Sequence, residues 1–116
     1  MEDEEWIYMA NLSPKKTGFN VVIWSESQGV TRNKNNKVPR FIIEGRQYYI
    51  SLSLENKPQI IKQFGEIKQS DKKDIQTAID YVVRNLDLFL KHYNDTTDDF
   101  DDEDLFTSLR ERGEYK

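Results

Sequence analysis

The sequence predicts an α+β domain: a small antiparallel sheet of about four strands, one long packed C-terminal helix, then an acidic tail with room for a short helix. Three observations carry this. Residues 40–54 alternate apolar and polar about a glycine, the period of two half-buried strands. Ile75, Ile79, Val82, Leu86, Phe89 and Tyr93 recur at spacings of four and three, the period of one helix face. Residues 98–106, "DDFDDEDLF", put six acids around Phe100, Leu105 and Phe106, a composition unlike either.

Taken in order, "FNVVIWS" (19–25) is a β-branched and aromatic run of strand length. The polar stretch 26–37 has no periodicity and carries three bases against one acid, which suits a long loop. "PRFII" and "RQYYISLSL" flank Glu44-Gly45, read as a two-residue hairpin turn with Gly45 supplying a positive φ. That register pairs Ile43 with Arg46 and Phe41 with Tyr48. Alternation puts Phe41, Ile43, Tyr48, Ile50, Leu52 and Leu54 on a core face, and Arg40, Ile42, Gln47, Tyr49, Ser51 and Ser53 on the other. "PQIIKQF" (58–64) reads as a fourth strand, with Pro58 at its start, where a missing N–H is tolerated.

Ser70 is a suitable cap for the helix, with Asp71 and Asp74 in the first turn, where the helix dipole favours negative charge. Asp80–Arg84 and Asp87–Lys91 are spaced to pair along its flanks. The apolar stripe is expected to cover the sheet. Beyond it, Leu105, Phe106 and Leu109 would share one side of a short amphipathic helix, too short to be stable undocked.

A chain of 116 residues has the length of one domain. The expected organisation is an acidic N-terminal extension over 1–10, with Met9 a second candidate start, the α+β domain over 11–94 and an acidic amphipathic tail over 95–116. Charge is divided along it. Residues 1–5 carry four acids and no base, 6–94 carry 14 bases against eight acids, and 95–116 carry nine acids against three bases. A basic body between acidic ends speaks about partners, not about fold. With no cysteine there is no disulfide or thiolate metal site. No apolar run approaches the roughly 20 residues of a membrane span, and "MEDEEWIYM" is unlike a signal peptide, so a cytoplasmic protein without membrane contact is expected.

Catalytic signatures are absent. His92 is the single histidine and falls in the last helical turn, where an ordinary surface group is expected. The five glycines are too scattered to cradle phosphate. A calcium loop counted from Asp95 meets Phe100 where glycine belongs and Phe106 where a bidentate Glu belongs. The expectation is a binding protein that is not an enzyme and uses no metal or cofactor.

Two kinds of partner fit. Arg32, Lys34, Lys37 and Arg40 could follow phosphates while Tyr49 and Trp24 offer stacking planes, so the polar sheet face suits single-stranded nucleic acid. The order of strands then helix resembles the single-strand-binding folds of the positive cofactor 4, Pur and Whirly type, which implies the same ligand. Alternatively, Phe100, Leu105, Phe106 and Leu109 within their acidic setting suit a host protein, as a nucleic-acid mimic or as a docking helix. "NLSPKKTGF" (11–19), followed by a Trp-bearing strand, a C-terminal helix and an acidic segment, is similar to small bacterial and mobile-element proteins. That resemblance implies a phage or mobile-element setting, where small inhibitors are common. Tethered acid beside a basic body would also reach it at high effective concentration and could cover it, or simply stay solvated.

Overall fold

The computed structural model describes residues 9–27, 38–95 and 99–116. Its five strands are β1 (Met9–Leu12), β2 (Val22–Glu26), β3 (Arg40–Glu44), β4 (Tyr48–Ser53) and β5 (Ile60–Gly65). They form one antiparallel meander in sequence order. A four-residue helix, α1 (Pro14–Thr17), separates β1 from β2; a 3-10 turn (Gln69–Asp71) leads into α2 (Lys72–Arg84), α3 (Leu86–Tyr93) and α4 (Asp102–Glu111). The class is α+β, with one strand more and a different helix arrangement than expected.

The core lies between one sheet face and the helices. Leu12, Ile23, Phe41, Ile43, Tyr48, Ile50 and Leu52 project from the sheet to meet Ala78, Tyr81, Val82, Phe89 and Tyr93. Every residue assigned to the core face by alternation is buried there. The hairpin register differs from the expected one. Phe41 faces Leu52 and Arg40 faces Ser53, four residues further along β4, and Gly45 N–H closes the turn on the Tyr48 carbonyl at 3.0 Å. A shift of four is even, so no side chain changes face. Gly45 has no positive φ. Glycine is required there because a Cβ would stand 2.1 Å from the Tyr48 ring.

The expected single helix breaks at Asn85, whose φ of −116° and ψ of 28° leave the helical region. Its side chain explains the break. Nδ2 donates to the Tyr81 carbonyl at 3.0 Å and to Glu114 Oε2 at 2.8 Å, while Oδ1 accepts from Arg112 at 3.2 Å. The first turn starts later than expected. Asp71, not Ser70, precedes the helix, and its carboxylate accepts the Lys68 backbone N–H at 2.8 Å.

The segment expected as a tail is part of the core. Leu105 and Leu109 are fully buried, and Phe100 and Tyr115 join the same cluster. Phe106 stacks on Tyr115 with centroids 4.9 Å apart. The acids of the run serve the helix itself. Asp101 accepts from Asp104 N–H and Asp104 from Asp101 N–H, a reciprocal cap, with Asp102 and Glu103 also in the first turn. At the other end Gly113, at φ 75°, donates to the Arg110 carbonyl while Glu114 N–H reaches Leu109, which is the left-handed helix stop. The segment is then fixed by the Arg112–Asp87 and Arg84–Glu114 ion pairs, the Tyr81 hydroxyl donating to the Glu114 carbonyl at 2.9 Å, and Lys116 N–H donating to the Lys16 carbonyl at 2.9 Å. Asp87 and Arg84 therefore pair with Arg112 and Glu114, just beyond the end of α4, and not along their own helices.

Candidate interaction surface

The sheet face turned away from the helices is not uniformly open. On β2 to β4, Glu26, Ile42 and Ser51 are at most 2% exposed. Arg40 Nε donates to Glu26 Oε2 at 2.8 Å, an ion pair with both side chains nearly buried. Trp24 Nε1 donates to Glu44 at 2.9 Å. Ser51 Oγ, buried between Ile42 and Lys62 in the ladder, has no hydrogen-bond partner among the described residues.

Toward β5 the surface opens. All six residues of β5 are exposed, because the helices cover the sheet only as far as β4. Ile60 is 60% exposed, Ile61 47% and Phe64 40%. Tyr49 and Phe64, opposite one another in the ladder, stack with centroids 4.6 Å apart, and Lys62 Nζ lies 5.8 Å from the Phe64 centroid. An irregularity at Ser51/Leu52 puts the extra residue, Ile61, between Ile60 and Lys62. β5 has strand neighbours on one side only among the described residues.

Of the residues expected to hold nucleic acid, Trp24, Arg40 and Tyr49 are described, one on each of β2, β3 and β4. Arg32, Lys34 and Lys37 lie outside the described residues. Arg40 is bonded to Glu26, and Trp24 to Glu44. Of the three described, Tyr49 sits in the open margin, and its ring is already stacked. The residues expected to hold a partner from the tail, Phe100, Leu105, Phe106 and Leu109, are packed inward. Lys91 Nζ covers the Phe100 ring at 4.6 Å. Sequence reasoning misses Phe64 and Lys62 because it reads 58–64 only as a fourth strand and assigns its residues to no face. The signal is present in "IIKQF", whose apolar residues do not alternate and so fit no single buried face.

His92 also departs from expectation. It is fully buried, with Nε2 2.7 Å from Asp102 Oδ1 and Nδ1 2.9 Å from Ser25 Oγ. A carboxylate only accepts, so Nε2 donates to Asp102 and Ser25 completes the chain at Nδ1. The serine–histidine–aspartate order matches that of hydrolases, but Ser25 is 2% exposed and lies near the end of β2 in the interior. It serves here to tie β2, α3 and the start of α4 together. Among the described residues no group of three or more carboxylate or histidine side chains could hold a metal ion, and no helix is long and apolar enough to cross a membrane. Comparison with protein-family models, curated proteins and solved structures finds no match.

Proposed function

We propose that this protein is a non-enzymatic interaction module that takes an extended segment of a protein partner along β5. The observation that carries the reading is an edge strand exposed over its whole length, with Ile60, Ile61 and Phe64 presented to solvent. An unpaired edge offers a row of backbone donors and acceptors, and a partner strand satisfies them while side-chain pockets supply specificity. Apolar residues on such an edge gain most from being covered. A role in catalysis for Ser25 would need its hydroxyl at a surface, and it is interior.

A second reading rests on the Tyr49–Phe64 stack with Lys62 beside it. Exposed rings next to a cation also suit the bases and phosphates of single-stranded nucleic acid.

One experiment separates the two. Peptides selected from a displayed random library against the full chain should protect β5 amides from exchange. They should lose binding by about tenfold or more in the double variant Ile61→Ala, Phe64→Ala. Binders indifferent to that variant overturn the strand-addition reading. If a single-stranded oligonucleotide binds instead, with affinity falling steeply as salt rises, the second reading replaces it.

A further inference from the structure

Away from β5, a cleft of about 370 Å³ opens where the start of β2, the β3–β4 turn and the first turn of α2 converge. Asn20, Gly45, Arg46, Tyr48, Asp71 and Asp74 line it. Its groups are only partly engaged. Asp74 Oδ1 accepts from Asn20 Nδ2 at 3.1 Å and Asp71 Oδ2 from the Lys68 backbone at 2.8 Å, which leaves each carboxylate a second oxygen. Arg46 is exposed and makes no ion pair with the described residues.

Tyr48 is the independent sign of a ligand. The residue is only 5% exposed and lines the cleft, yet its hydroxyl has no hydrogen-bond partner among the described residues. The hydroxyl itself is not closed off from solvent, so in the cleft it is free to donate to a polar ligand. The opening is kept by Gly45, where any Cβ would stand 2.7 Å from the Tyr48 oxygen and closer still to the ring. Burial, followed by the fields of Asp71 and Asp74, pushes the Tyr48 hydroxyl up to about 12. The negative field therefore reaches the cleft, and the hydroxyl stays a neutral donor.

We propose that this cleft binds a free amino acid with a cationic side chain. Two carboxylates and one guanidinium call for a ligand with two cationic groups and one carboxylate. The two ammonium-type groups go to Asp71 and Asp74, the ligand carboxylate goes to Arg46, and the Tyr48 hydroxyl donates to the ligand. A cleft of this volume lies in the range of small-molecule sites.

The test is a titration of the full chain with L-lysine, followed by amide chemical shifts. Saturable shifts confined to residues around Asn20, Gly45–Tyr48 and Asp71–Asp74 are expected below about 50 mM, a range suited to a weak but specific ligand. L-norleucine, which has the same shape without the side-chain charge, should bind about tenfold more weakly or worse, and cadaverine, which lacks the carboxylate, should also bind less tightly. Arg46→Gln should weaken L-lysine while leaving cadaverine unchanged, and Asp74→Asn should weaken both. Arg46 is exposed, so its variant remains informative should Asp74→Asn fail to fold. Absence of saturable shifts, equal binding of L-norleucine, or an Arg46→Gln variant that binds L-lysine as well as the parent overturns the proposal.

Discussion

His92 shows how far one side chain can depart from what its position in a helix suggests. In the last turn of an isolated helix an imidazole faces water and the helix carbonyls. Here the neighbouring strand supplies Ser25 and the returning chain supplies Asp102, and both lie beyond the reach of any local pattern. Removing the ring leaves a buried hydroxyl without its partner. His92→Ala should therefore lower stability by about 1–3 kcal/mol from the lost hydrogen bonds alone, with a cavity cost added. The check is the urea midpoint at unchanged slope. An unmoved midpoint would mean that the chain from Ser25 to Asp102 does no structural work. The Arg40–Glu26 pair carries a similar lesson. A basic residue on a polar sheet face looks available for phosphate, yet its partner lies on the adjacent strand and is itself 2% exposed.

Among the elements, those with a strong local period were legible and those defined by distant contacts were not. Strict alternation places all six core-face residues from Phe41 to Leu54 correctly even though the hairpin register is four residues off. β1 escapes notice because four residues ahead of Pro14 carry too little pattern. The helical stripe locates α2 and α3, but the most buried positions include Ala78, Tyr81, Asn85 and His92. The stripe is rotated from the one drawn through Ile75, Ile79 and Leu86, which are only partly buried. Polar residues at 85 and 92 hide that rotation, since burial of Asn85 depends on Glu114 and Arg112. The acidic run draws attention for its charge, when much of it is the reciprocal cap of α4. Because Leu105 and Leu109 are fully buried, Leu109→Ala should cost about 2–5 kcal/mol in an equilibrium unfolding experiment. A change as small as that of an exposed site would show that α4 is not held against the core.

For the whole molecule, two ion pairs cross-link the C-terminal part to the paired helices, Arg112–Asp87 and Arg84–Glu114. Arg112 donates to both oxygens of Asp87, at 2.9 and 2.6 Å, and this holds the aspartate below its ordinary value. Burial would raise Glu114, but hydrogen bonds from Arg84 and Asn85 and the nearby cations outweigh it, so it too is lowered. Both carboxyls are lower in the folded chain. Their contribution is therefore present above the unfolded values of about 4 and is lost as pH falls through the folded ones. The parent should be more stable than Arg112→Gln at neutral pH, and that difference should shrink on acidification below about pH 4. A difference that stays constant from neutral to strongly acid solution would show that the Arg112–Asp87 pair does not hold the C-terminal part. An exposed pair of this kind adds little, so the expected difference is small.

The hydrogen bond from Lys116 N–H to the Lys16 carbonyl has a kinetic meaning. Each strand of the meander pairs with its neighbour in sequence, so the sheet can form by successive short loop closures. Docking of the C-terminal segment onto α1, by contrast, closes nearly the entire described chain. Its long loop closure predicts that it forms late in assembly, after the rate-limiting barrier. Interactions absent from a transition state act as a latch: they slow opening and leave closing untouched. The cost of Leu109→Ala should accordingly appear in the unfolding arm of a chevron, with the refolding arm unmoved. A slowed refolding arm would place α4 in the folding nucleus instead.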